Sequence, residues 1–168
     1  LSRGLGDVYK RQHLELAMTS DLFAAITAGT GPHDQKIWTL ASVAKDLCEL
    51  IASGQPINRH RLTRLMTAHF GAGDATGAWS LREAFDALET AQALALLRDP
   101  LVEASPEAVL ADLLARTERL PTQSVRSERQ VDMQQFSTPL PLAYLAARAA
   151  AIGADDLVLE PSAGTGPV

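Results

Sequence analysis

Aromatic residues are scarce: they make up 5% of the chain, as two tryptophans, two tyrosines and four phenylalanines. Sheet cores draw heavily on aromatic and β-branched side chains, so this scarcity argues against an all-β fold. The single cysteine, Cys48, excludes an intramolecular disulfide and suits a reducing, cytoplasmic location. No apolar run approaches the roughly 18 residues of a membrane span, and no charged-then-apolar leader is evident, so no membrane partner is expected. Basic residues are in deficit, with 15 Lys and Arg against 20 Asp and Glu for a net charge of -5. No tail or face reads as a strong basic patch, so nucleic-acid binding by bulk electrostatics is not supported. The short cluster of Arg59, His60, Arg61 and Arg64 could touch phosphate, but it reads first as a solvated helix face. His13, His33, His60 and His69 share no metal-ligand spacing with one another or with Cys48, so no metal site is expected.

What is abundant is alanine and leucine, within a hydrophobic content of 46%, and that favours packed helices: the fold class is mainly α. Apolar residues at 37, 40, 41, 44, 47, 48 and 51 keep the spacing of one helix face, with Gly54 as the stop and Cys48 as an inert buried thiol. "NRHRLTRLMTAHFG" predicts a second helix with Asn58 as N-cap, an inner side of Leu62, Leu65, Met66 and Phe70, and Gly71 as terminator. "SLREAFDALETAQALALLR" opens with Ser80 and Glu83 in capping-box spacing and places Leu81, Ala84, Phe85, Leu88, Ala95 and Leu96 on one face. "SPEAVLADLLARTERL" has Ser105 as cap, Pro106 in the first helical position, and an apolar row of Val109, Leu110, Leu113 and Leu114. With a shorter helix at "SDLFAAITAG", these make an N-terminal helical bundle over residues 13–120. The Gly71, Gly73, Gly77 loop with Trp79 reads as a connection between two of the helices, or as a contact with whatever follows the bundle.

After Leu120 the texture changes. "PTQSVRSERQVDMQ" has no apolar face, and residues 121–133 read as a linker. "STPLPLAYLAARAAAIG" then offers Ser137 or Thr138 as cap, prolines in the first turn, and a small-residue helix ended by Gly153. Leu157, Val158 and Leu159 form an apolar run that suits a buried parallel strand. Helix, strand and glycine turn are how a doubly wound α/β sheet begins, so residues 134–168 read as the truncated start of a Rossmann-like domain.

Both termini look unnatural. Residues 1–12, "LSRGLGDVYKRQ", lack an initiating methionine and resemble the translated read-through of a sequencing-library adapter, as found at the edges of metagenomic reading frames. They are expected to be a disordered scar, with Met18 a candidate start, and the chain is expected to be a fragment.

The glycine turn "LVLEPSAGTGPV" could meet several ligands. A phosphate-binding loop would need lysine and Ser/Thr where Pro167 and Val168 stand, a dinucleotide fingerprint needs a third glycine, and a nucleophile elbow needs glycine where Glu160 stands. "AGTGP" also occurs at residues 28–32, where it reads as a helix-ending loop, so the pentapeptide by itself carries little. The information lies in "LVLEPS" before the second copy and in "QQFSTPLPL" upstream.

Together these two segments resemble the cofactor motifs of amino-methylating DNA methyltransferases, Phe-x-Thr-Pro followed by a strand ending in Asp/Glu-Pro-x-x-Gly-x-Gly. Phe136, Thr138 and Pro139 match the first motif, with Ser137 at its variable position. Glu160, Pro161, Gly164 and Gly166 match the second, with Ser162 and Ala163 between them. The wider pattern, from "FGAGDATGAW" through "AQALALLR" to "DLVLEPSAGTG", is similar to the start of Strawberry notch-like methylase/helicase proteins of bacterial mobile elements. Pro167 departs from that family, which continues here with an aliphatic helix start.

The resemblance implies an S-adenosylmethionine cofactor in a class I methyltransferase fold. Phe136 and Thr138 would line its pocket, Glu160 would orient its methionine end, and the backbone from Ser162 to Gly166 would hold its carboxylate. It implies an adenine N6 acceptor in DNA and a following helicase. The catalytic Asn/Asp-Pro-Pro-aromatic segment of such enzymes does not occur in this sequence. The parent is therefore expected to be an enzyme that meets DNA through other parts, and this chain to be inactive. Two alternatives stay open: a helical interaction module with a chance motif match, and a methyltransferase acting on RNA or protein.

Overall fold

The longest helix, α1 (Pro32–Ala52), buries Val43, Ala44, Leu47 and Cys48, which recur at the three- and four-residue spacing of one helix face. In the computed structural model, the residues described are 32–99, 105–122, 137–153 and 155–159. They form α1, α2 (Arg59–Phe70), α3 (Leu81–Arg98), α4 (Pro106–Glu118) and α5 (Leu140–Ala149), with one 3-10 turn at Asp74–Thr76. The protein is mainly α, and no strand occurs among the described residues. The expected helix around residues 20–29 and the expected scar at 1–12 lie outside them, as do all but the first two residues of the expected linker at 121–133. The chain divides into two units, Leu1–Thr39 and Leu40–Val168. In the first, Thr39 Oγ1 donates to the Gln35 carbonyl at 2.9 Å. All packing below lies within the second.

Helix ends follow local chemistry. α1 closes with Gly54 at φ +68°, its N–H donating to the Ile51 carbonyl at 2.9 Å and that of Gln55 to Leu50 at 3.0 Å, the paired bonds of a Schellman motif. Asn58 caps α2 by accepting from the Arg61 N–H at 2.8 Å, and Gly71 ends it in the left-handed conformation. At the start of α3 the capping box is complete: Ser80 Oγ accepts from the Glu83 N–H at 3.3 Å, and Glu83 Oε2 accepts from the Ser80 N–H at 2.8 Å. Ser105 caps α4, with Pro106 as its first residue. The first "AGTGP" copy leads directly into a helix, since its Pro32 is the first residue of α1; residues 28–31 lie outside the described set.

α5 differs from expectation at both ends. Its N-cap is Pro139 rather than Ser137 or Thr138, with no side-chain cap; the Pro139 carbonyl itself accepts from Leu142 and Ala143. The Ser137 hydroxyl is turned instead to Glu89. At the far end the helix stops at Ala149, before Gly153, and the left-handed position falls on Ala151 at φ 53°. The bonds Ala151 to Arg148 and Ile152 to Ala147 repeat the Schellman pattern seen at Gly54, here on a residue that carries a Cβ.

Two apolar clusters hold the second unit together. The larger joins Val43, Leu47 and Cys48 of α1, Leu62 and Met66 of α2, and Ala84, Phe85, Leu88 and Ala91 of α3, with Ile57 and Trp79 from the connections. Trp79 is 2% exposed, and its Nε1 donates to the Ala72 carbonyl at 2.7 Å. The glycine loop thus joins α2 to α3 and sends one aromatic side chain into the core. The smaller cluster joins Val109 and Leu113 of α4 to Leu140 of α5, with Leu96 and Tyr144 against it. Burial of side chains as large as Leu47 or Leu62 stabilises the fold by roughly 1.5–3 kcal/mol each. The end of α4 also returns to the first connection, where the Ile57 N–H donates to the Arg119 carbonyl at 2.8 Å.

The run at Leu157–Leu159 is not a strand. Leu157, Val158 and Leu159 are 101%, 50% and 88% exposed. A parallel strand exists only by pairing with a neighbour, and no second strand is present among the described residues. The row expected on α4 is likewise divided, with Leu113 buried and Leu114 about half exposed.

Candidate cofactor segment at the start of α5

The residues assigned to the cofactor fall into two groups. Ser137, Thr138 and Pro139 are described; Phe136 and Glu160, Pro161, Ser162, Ala163, Gly164 and Gly166 lie outside the described residues. The three that are described stand together, exposed, immediately before α5. Pro139 itself is extended, at φ -58° and ψ 141°, and helix geometry sets in at Leu140. Leu140 is then anchored against Val109 and Leu113.

Ser137 Oγ donates to Glu89 Oε2 at 2.7 Å. Glu89 belongs to an acidic stretch of α3 that also includes Glu83 and Asp86. Burial is the main cause that pushes the Asp86 carboxyl above its ordinary range; Arg82 opposes the shift, and Glu89 and Glu83 add to it. The start of α5 therefore lies beside negative charge. Sequence spacing could not have found Glu89, because the contact spans 48 residues and reaches past α4.

Beyond α5 the chain turns sharply. The Gly153 N–H donates to Asp156 Oδ2 at 2.7 Å, and the exposed apolar run follows directly. α5 is thus the element that separates the two motif-bearing segments along the chain. Tyr144 Oη donates to the Pro106 carbonyl at 3.4 Å, a second tie between α5 and α4.

Two further chemistry-bearing side chains, His69 and Cys48, are engaged within the fold. His69 Nε2 lies 2.8 Å from Asp46 Oδ2 and links α2 to α1. Cys48 is buried, and desolvation raises its thiol pKa, with Glu49 adding to the effect and Arg98 opposing it. Among the described residues no group of His, Cys, Asp and Glu could hold a metal ion, and no helix is long and apolar enough to cross a membrane. Comparison with protein-family models, curated proteins and solved structures finds no match to this chain.

Proposed function

We propose that the chain is the cofactor-binding start of an S-adenosylmethionine-dependent DNA methyltransferase, of adenine N6 type and joined to a helicase, as in Strawberry notch-like proteins. The observation that carries this reading is the pairing of Phe136-Ser137-Thr138-Pro139 with Glu160-Pro161-Ser162-Ala163-Gly164-Thr165-Gly166 on either side of one helix. The exposure of Thr138 and Pro139 leaves that segment open to a ligand. The run at Leu157–Leu159 would become the first strand of a Rossmann-like sheet only where partner strands of the parent lie beside it.

In such a site Thr138 and the backbone from Ser162 to Gly166 would hold the cofactor's polar groups, and Phe136 would cover its apolar side. The bound cofactor would supply an electrophilic methyl group. Transfer also needs acceptors that orient the target amine in line with that methyl, and this sequence contains no Asn/Asp-Pro-Pro-aromatic segment to provide them. Methyl transfer is therefore assigned to the parent rather than to these 168 residues.

A helical interaction module is the second reading, favoured by the exposed leucines Leu97, Leu114, Leu142 and Leu145. Reading the source DNA onward by about 150 codons, a typical domain length, separates the two. Asn-Pro-Pro-Phe followed by helicase motifs is the expected result, and a stop codon soon after Val168 overturns it in favour of the module. Calorimetry with S-adenosylmethionine adds a second check: binding by this chain tighter than about 10 μM, some 7 kcal/mol, contradicts a half-built pocket.

A further inference from the structure

The turn between α1 and α2 carries a local positive charge that the net charge of -5 conceals. From Leu50 to Gly73 there is no acidic residue, while Arg59, Arg61 and Arg64 lie on α2 with His60. The first turn of α2 contains no acid, although the positive end of a helix favours one and disfavours cations.

The fold brings a fourth arginine, Arg119, to the turn that precedes α2. The Arg119 carbonyl accepts from the Ile57 N–H at 2.8 Å, and its guanidinium lies over Gly54, where a Cβ would come within 3.2 Å of Nη1. Arg61 folds back on the turn, donating to Gln55 Oε1 at 2.7 Å and to the Pro56 carbonyl at 3.2 Å. Arg59, His60 and Arg64 are exposed and make no ion pair among the described residues. Two acids of α1 are already engaged, Glu49 by Arg98 and Asp46 by His69, and Glu118 is the acid beside Arg119 in sequence.

We propose that this assembled turn binds the phosphate backbone of nucleic acid. All four cations are arginine, whose planar fork matches phosphate oxygens in pairs. A lipid surface with the same phosphate chemistry would also require apolar side chains to insert. Here Ile57 and Leu62 are buried, at 2% and 0% exposure, and no large apolar side chain between Leu50 and Gly73 is exposed. Backbone contacts position a duplex without reading its sequence, so the patch orients nucleic acid rather than selecting a site. The inference shares no residue with the cofactor reading and can stand or fall without it.

The test is fluorescence anisotropy of the full chain with a labelled duplex of about 20 base pairs across a salt series. Three or four phosphate contacts give a log–log salt slope of about -3. Arg59→Ala/Arg64→Ala is expected to weaken binding at least about tenfold and to flatten the slope by about 2. Arg119→Gln is expected to weaken it about threefold, while Arg82→Ala/Arg148→Ala, with the same loss of charge as the first pair, stays within about twofold. Circular dichroism melts check that each variant folds. Any one of four results overturns the proposal: no duplex binding at low salt, equal loss in the two double variants, unchanged affinity in Arg119→Gln, or tighter capture by phosphatidylserine vesicles than by DNA.

Discussion

Ser137 Oγ and Glu89 Oε2, 48 residues apart in sequence, are joined by a 2.7 Å hydrogen bond that fastens the start of α5 to the middle of α3. Ser137 occupies the variable position of the Phe-x-Thr-Pro match, so its side chain can serve the fold while Thr138 stays exposed. Ser137→Ala should cost about 0.5–1.5 kcal/mol, the usual worth of one net hydrogen bond, read as a lower midpoint in urea unfolding. An unchanged midpoint would mean that water replaces the contact without loss.

Trp79 should be among the most sensitive positions. Trp79→Ala removes the largest side chain sent into the core by a connection and is expected to cost about 3–5 kcal/mol. Trp79→Phe keeps much of the ring but leaves the Ala72 carbonyl without its 2.7 Å donor, for about 1–3 kcal/mol. Chemical denaturation of the two variants should rank them in that order.

Ala151 presents the reverse case. It holds a left-handed φ of 53°, where a Cβ is strained and glycine is not. Ala151→Gly should therefore stabilise the chain by up to about 1 kcal/mol, observed as a higher melting temperature. Gly54→Ala, the mirror experiment at φ +68°, should lower it.

Asp86 sets a pH dependence of defined sign. Its folded pKa lies above the ordinary 3.8, chiefly through burial, so the folded chain holds this proton more tightly than the unfolded chain. The resulting stabilisation is complete below pH 3.8 and is lost as pH rises through the raised folded value. Asp86→Asn should melt higher than the wild type at pH 7, and the difference should vanish in strong acid. A variant less stable at pH 7 would show instead that the charged pair with Arg82 outweighs the desolvation.

Cys48 should resist thiol reagents while the chain is folded. Its thiol is buried, and burial pushes its pKa up, so little thiolate is present to react. Ellman's reagent should label it at the rate of unfolding, and rapid labelling in buffer would indicate that α1 opens locally.

The helices were legible because their signals are local. Asn58, Gly71, Ser80 with Glu83, and Ser105 with Pro106 each act within a turn of their own helix, and each does what its spacing predicts. The start of α5 was not legible for the opposite reason: Ser137 could cap its own helix or meet a carboxylate, and a distant residue decided between them. The run at Leu157–Leu159 shows a second limit. Its composition states what the residues would bury against, whereas pairing depends on a partner strand that composition cannot supply. Of the candidate cofactor residues, sequence supplied the spacing, and the structure describes only Ser137, Thr138 and Pro139.

The bond from Ile57 to the Arg119 carbonyl has a kinetic meaning. It joins the first connection of the bundle to the C-cap of α4, so it can form only after the intervening helices have brought their ends together and the entropy of closing that long loop has been met. Contacts of this separation form late in folding and are the first released in unfolding. Weakening the clasp should therefore accelerate unfolding while leaving the rate of helix assembly nearly unchanged.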